Sequence, residues 1–126
     1  MQEKDTIHVL YCANSAYWMP MCVSITSLFE HHTNDLVHVH VFHSLIESTE
    51  KEAISKLKEK YGQQISLYYI NDAMFSNAPT ERWAREAYFR LLAPTILPED
   101  IHSLLYLDCD TLIQKNLCQL FSTNLE

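Results

Sequence analysis

An α/β layer fold with a mainly parallel sheet is predicted by three features of the chain. Segments of strand character alternate with segments of helical periodicity. The run Ile7–Ala13 and the run at residues 104–107 are almost wholly apolar, as strands covered by helices on both faces must be. The 126 residues, 48% of them hydrophobic, suffice for one core and one domain over residues 1–126 and argue against disorder.

Ile7–Ala13 (IHVLYCA) reads as a buried first strand, which Asn14 and Ser15 break. Pro20 suits the first turn of a helix, and Met21, Ile25, Leu28 and Phe29 recur on one face of it. Residues 36–43 alternate, with Val37, Val39 and Val41 on one side and His38, His40 and Phe42 on the other, as in a second strand. Thr49 and Glu52 form a capping-box pair, with Thr49 as N-cap. Ala53, Ile54, Leu57 and Tyr61 then line a helix that should end at Gly62, a C′ glycine. Residues 65–70 make a third strand, and residues 71–80 a polar loop. Residues 81–93 read as a helix with Ala84, Ala87, Tyr88, Leu91 and Leu92 on one face. Pro94 and Pro98 bracket a connector to a fourth strand at 104–107, and residues 117–121 suggest a last helical turn.

Composition removes several function classes. The net charge of −7 argues against a nucleic-acid partner. Gly62 is the only glycine, which excludes a glycine-rich dinucleotide fingerprint and a P-loop. A phosphate bound here must be held another way, such as through a metal ion. Cys12, Cys22, Cys109 and Cys118 show no C-x-x-C spacing, so a zinc ribbon and a thioredoxin motif are excluded. The N-terminal stretch lacks the apolar core of a signal peptide, and no run is long enough to span a membrane. The expected setting is the cytoplasm, with reduced thiols.

The sharpest candidate site is LLYLDCD, residues 104–110. Two carboxylates follow an apolar strand directly, and ligands of open α/β sheets bind beyond the carboxyl ends of the strands. Alternate residues of extended chain point the same way, so Asp108 and Asp110 can converge on one cation that bridges to a diphosphate. The competing reading makes them caps of the next turn.

Four segments in order carry a resemblance. LLYLDCDTLI closely resembles the D-x-D segment of glycosyltransferase family 8. VLYCANSAYWMPMCVSITSL resembles that family's first strand, nucleotide loop and first helix. AYFRLLAPTILPED resembles its helix before the D-x-D strand, and NLCQLFSTNLE the stretch beyond it. The family is retaining and metal-dependent and uses nucleotide sugars. The resemblance implies a Rossmann-like nucleotide-diphospho-sugar transferase fold, like that of lipopolysaccharide galactosyl- and glucosyltransferases. It also implies transfer of a hexose, galactose or glucose, from a UDP-sugar to a glycan or lipid-linked oligosaccharide acceptor.

By the same resemblance Asp108 and Asp110 hold Mn2+ or Mg2+, and Cys109 belongs to the motif with its side chain turned away from the metal. Ala13, Asn14 and Tyr17 match the loop that grips uridine, where a tyrosine can stack on uracil and a short polar side chain can read its N3–H. Asn14 stands where the family commonly has aspartate, and Ser15 and Ala16 depart from the usual aspartate and asparagine. The asparagine carbonyl still accepts the hydrogen bond, without the charge. Tyr17 has the alternative of an aromatic lid on the first helix. Arg90 matches an arginine facing the sugar and diphosphate, with the alternative of an exposed pair with Glu86 one helical turn away.

The histidines suggest a separate possibility. His38 and His40 share a strand face and His43 follows closely, so the three are candidate zinc ligands. Against this, no further ligand is evident from spacing, and the alternating valines account for the segment as an amphipathic strand.

In the resembled family, a later histidine completes the metal site, and residues downstream bind the donor sugar and the acceptor. The chain is therefore expected to be a truncated unit with its catalytic residues outside it. Binding of nucleotide without turnover is the second reading. Peripheral membrane association through a further C-terminal part, and self-association of uncovered apolar sheet, are expectations of the same kind.

Overall fold

The computed structural model describes residues 6–13, 17–43, 48–70, 97–98, 101, 104–115 and 117. The described elements are β1 (Ile7–Ala13), α1 (Trp18–Glu30), β2 (Val37–His43), α2 (Ser48–Tyr61), β3 (Gln64–Tyr69) and β4 (Leu105–Tyr106). They form one four-stranded sheet in the order β3-β2-β1-β4. Every pairing is parallel, with Ile7 opposite Val37, His38 opposite Gln64 and Val9 opposite Leu105.

This order follows from the connections. The β1–α1–β2 and β2–α2–β3 crossovers step in one direction, and right-handed crossovers that step the same way put their helices on the same face. That face is the larger core. Val9, Tyr11 and Ala13 of β1 and Val37, Val39 and Val41 of β2 pack with Met21, Ile25, Leu28 and Phe29 of α1 and Ile54 of α2. All four α1 residues are fully buried, as the spacing predicts. The helices also touch directly: the Phe29 and Tyr61 rings lie 5.5 Å apart, and the Tyr61 hydroxyl donates to the Glu30 carboxylate.

The connection from β3 leads to β4 on the far side of β1, and the sheet's other face holds a second, smaller core. Leu97 and Ile101, from that connection, pack there with Leu10, Cys12, Phe42 and Ile70. A sheet buried on both sides explains the near-continuous apolar composition of β1. Toward the amino ends of β1 and β2 the second face changes character and carries His8, His38 and His40.

Several boundaries differ from the sequence expectation by one or two residues. α2 begins at Ser48, so Thr49 lies within the first turn and does not cap it. The β4 ladder is confined to Leu105–Tyr106, and a further bond from Leu107 N to the Leu10 carbonyl (3.0 Å) extends it. β3 starts at Gln64, and Ile70 N bonds the His43 carbonyl at 2.8 Å. Gly62 ends α2 as expected. It adopts φ +65° and its N–H bonds the Lys58 carbonyl at 2.8 Å. The expected loop at 71–80, the helix at 81–93 and the turn at 117–121 lie outside the described residues, apart from Leu117. Among the described residues, no helix is long and apolar enough to cross a membrane.

Candidate functional site

The strand order reverses between β1 and β4. Such a switch point opens a crevice beyond the carboxyl ends of the two strands. β1 ends at Ala13, and β4 runs on into Asp108-Cys109-Asp110 at the same edge. α1 starts at this edge too, with Tyr17 as its N-cap residue.

Within the D-x-D triplet the side chains separate by environment. Asp108 and Asp110 are exposed. Cys109 is buried, and its thiol donates to the Cys12 carbonyl at the end of β1, 3.2 Å away. The inward cysteine pins the triplet to the neighbouring strand and leaves both carboxylates in solvent. The thiol is turned inward and spent on the Cys12 carbonyl.

A chain of hydroxyls holds the turn from below. Tyr11 Oη lies 2.7 Å from Ser24 Oγ, Ser24 Oγ lies 3.0 Å from Thr111 Oγ1, and Thr111 Oγ1 donates to the Asp108 carbonyl over 2.8 Å. Each hydroxyl has one hydrogen. Because Thr111 spends its hydrogen on Asp108, Ser24 donates to Thr111, and Tyr11 donates to Ser24. Burial pushes the Tyr11 hydroxyl well above its usual range, against the opposing pull of the Ser24 hydrogen bond, so the first donor in the chain stays protonated.

Further along, Ser27 Oγ donates to the Ser24 carbonyl and accepts from Ile113 N (both within 2.8 Å). His32 accepts from Leu117 N at Nε2 (3.0 Å), which leaves the ring proton on Nδ1 for Asp35, 2.9 Å away. Ser24, Ser27 and His32 lie along α1 and its C-terminal end and hold the segment that follows the carboxylates. Sequence reasoning missed this row. Its only signal was polar residues at 24, 27 and 32 beside an apolar helical face.

The other sequence candidates fall as follows. Ala13 is buried, and its methyl belongs to the core beneath the crevice. Tyr17 is 48% exposed. Asn14 and Arg90 lie outside the described residues. Among the described residues, two buried side-chain nitrogens near the same edge have no hydrogen-bond partner: Trp18 Nε1, at the start of α1, and His43 Nδ1, at the end of β2. Burial, more than the nearby Lys51, depresses the His43 pKa, so the ring is held neutral.

The proposed zinc set of His38, His40 and His43 is not assembled. His43 is an odd step from the other two along β2 and faces the opposite side of the sheet. The third imidazole beside His38 and His40 comes instead from His8, which β1 places opposite His38. That partner is distant in sequence and becomes adjacent only through strand register.

Two exposed carboxylates around a buried anchor offer hard oxygen ligands, the donor type that Mn2+ and Mg2+ take. The residues present therefore fit a divalent cation of that class.

The fold defines an open α/β protein whose strand order reverses between β1 and β4, the place where ligands of such sheets generally bind. The family model of glycosyl transferase family 8 matches residues 8–126, and the chain belongs to that family. It is 30% identical over 126 residues to a lipopolysaccharide 1,2-glucosyltransferase of Escherichia coli K12, covering 99% of this chain and 37% of that protein. A second Escherichia coli lipopolysaccharide 1,2-glucosyltransferase is 27% identical over 123 residues, with 97% of this chain and 36% of that protein covered. Among solved structures, the galactosyltransferase LgtC in complex with donor and acceptor sugar analogs superposes with a TM-score of 0.85 at 24% identity. That match covers 95% of this chain and 44% of the other. The chain thus spans under half the length of these relatives.

Proposed function

We propose that the chain is the nucleotide-binding part of a retaining glycosyltransferase. It would move a hexose, glucose or galactose, from a UDP-sugar to a glycan or lipid-linked oligosaccharide acceptor. The observation that carries this reading is the pair of exposed carboxylates, Asp108 and Asp110, beyond β4 at the switch point next to β1. The two lipopolysaccharide glucosyltransferases support glucose and a lipopolysaccharide acceptor. Such an acceptor favours work at the cytoplasmic face of the membrane.

In this reading Asp108 and Asp110 hold Mn2+ or Mg2+ with the nucleotide diphosphate. The bound cation supplies Lewis-acid stabilisation of the negative charge left on the departing diphosphate. The chain's own residues set the geometry. Cys109 and the Tyr11–Ser24–Thr111 relay fix the backbone that bears the carboxylates, so little ordering is left to occur on binding. Tyr17 stacks on uracil, Asn14 accepts from its N3–H, and Arg90 faces the diphosphate and sugar. α1 begins at the same edge, and its first amide N–H groups add a favourable field for an anion.

The experiment is calorimetric titration of UDP-glucose, UDP-galactose and other nucleotide sugars with and without Mn2+, paired with an assay for released UDP. Binding of UDP-sugars only when Mn2+ is present is the expected result. Metal-independent binding, or equal binding of all nucleotides, would sink the proposal.

A second reading, binding without turnover by residues 1–126 alone, is favoured by the 36–44% of the relatives' length that the chain covers. Two carboxylates leave most of an octahedral shell to water and phosphate. Modest affinity and slow or no transfer to an acceptor follow for this chain. Exposed Met19, Val23 and Leu112, which line an apolar groove between α1 and α2, support self-association, which light scattering would register.

A further inference from the structure

We propose that His8, His38 and His40 form a second cation site, for a borderline transition metal such as Zn2+ or Co2+, at the opposite end of the sheet from the carboxylates. Among the described residues, theirs is the one group of at least three potential ligands that the fold brings together, with one ligand atom from each within 4.8 Å of the others. Register makes the cluster: His8 of β1 sits opposite His38 of β2, and His40 follows two residues on along the same face.

The ring nitrogens are already arranged as a ligand set. His8 Nδ1 and His40 Nε2 face each other at 3.0 Å. Two nitrogens on a tetrahedral Zn2+ stand about 3.3 Å apart, given Zn–N bonds near 2.0–2.1 Å. Outer hydrogen bonds orient two of the rings: His38 Nε2 lies 2.7 Å from Ser66 Oγ, and His40 Nδ1 lies 2.9 Å from Tyr68 Oη. Metal-ligating histidines are characteristically oriented in this way through the second ring nitrogen. The rings stack, with His38 and His40 centroids 4.0 Å apart and His8 and His40 centroids 5.3 Å apart.

The proton balance is simple. In the metal-free chain one hydrogen lies between His8 Nδ1 and His40 Nε2. Moving it to the outer nitrogen of whichever ring holds it frees both facing lone pairs, with no net proton released. Tyr68 can accept or donate, so it accommodates either tautomer of His40. His40 is fully buried and positioned by Tyr68, while His8 and His38 are half-buried. Burial, reinforced by the neighbouring rings, holds His40 neutral, as a ligand must be.

Imidazoles suit Zn2+, Co2+, Ni2+ and Cu2+, whereas Mn2+ and Mg2+ prefer carboxylates. His8 lies five residues from the carboxyl end of β1, about 17 Å along the strand. The two ends of the sheet would thus sort cations by ligand hardness.

Co2+ titrated into the chelator-treated chain provides the test, read by visible absorption and by the thermal midpoint. One Co2+ per chain with a tetrahedral absorption band is expected, together with a rise in midpoint on adding Zn2+. The band should persist in the Asp108→Ala/Asp110→Ala variant, and affinity should fall at least about tenfold in His8→Ala and in His38→Ala. His8→Gln, at a half-buried position, serves if a truncation unfolds the chain. Absence of the band in the unmodified chain would overturn the proposal. So would a band that survives His8→Ala and His8→Gln unchanged.

Discussion

The thiol of Cys109 and the carbonyl of Cys12 meet at 3.2 Å across a sequence separation of 97 residues. This contact decides which way the D-x-D triplet faces. With the middle residue anchored inward, the flanking carboxylates are directed outward, and the turn cannot roll over without breaking a buried bond.

Asp110→Ala is predicted to abolish Mn2+-dependent UDP binding and leave the thermal midpoint nearly unchanged. The side chain is exposed, and substitutions of that kind usually stay within about 0.5 kcal/mol in stability. Calorimetry with a melting curve separates the two effects. Unaltered Mn2+-dependent affinity would remove Asp110 from the site.

Ser24→Ala breaks the hydroxyl relay at its centre. Tyr11 then loses its buried acceptor and Thr111 its donor, at a cost of about 1–3 kcal/mol. Tyr11→Phe leaves Ser24 free to donate to Thr111 and should cost less. Chemical denaturation of the pair of variants tests the direction assigned to the relay. A larger loss for Tyr11→Phe would reverse it.

Gln63 is buried and closes three backbone groups at once. Its Oε1 accepts from Val37 N at 2.9 Å, and its Nε2 donates to the carbonyls of Asp35 (2.7 Å) and His32 (3.2 Å). Gln63→Ala orphans the Val37 N–H at the start of β2, and a loss of about 1–3 kcal/mol is expected. Gln63→Glu sets a carboxylate oxygen against two carbonyls and should be worse than alanine. Equal midpoints for the two variants would contradict this account.

Stability of the metal-free chain should fall as pH is lowered from about 6.5 toward 3. The His40 pKa is depressed to about 3 by burial and by the adjacent His38 and His8, and those of His38 and His43 are also lowered. The unfolded chain therefore binds more protons than the folded one across this window, so acid favours unfolding. Each imidazole contributes at most about 1.4 kcal/mol per pH unit. His40→Phe should flatten the profile in urea titrations. A profile equally steep without His40 would refute its part.

Much of this was readable in advance, for physical reasons. Met21, Ile25, Leu28 and Phe29 repeat with the helical period, and the valines at 37, 39 and 41 repeat with the strand period. Burial of one face imposes both patterns. Gly62 was legible because a left-handed residue has few substitutes. Asp108 and Asp110 stood out as charges at the end of an apolar strand.

What stayed hidden is non-local. Nothing near His38 reveals that His8 will lie beside it, since strand pairing is set by the whole sheet. The serines of α1 likewise acquire their role only when residues 111 and 113 arrive. Thr49 misled because α2 starts two residues before Glu50, the first helical residue that an N-cap at Thr49 requires, within the usual uncertainty of helix ends.

The strand order also dictates a sequence of events. β1, β2 and β3 join through short crossovers, whereas β4 pairs with β1 across a separation of 96 residues, Val9 against Leu105. Contacts so far apart in sequence are the slowest to form, because the entropy of closure is lost before the contacts compensate. Asp108 and Asp110 follow directly on that strand. The carboxylates are thereby tied to the most long-range strand pairing among the described elements, so cation affinity at this edge should report whether β4 has docked on β1.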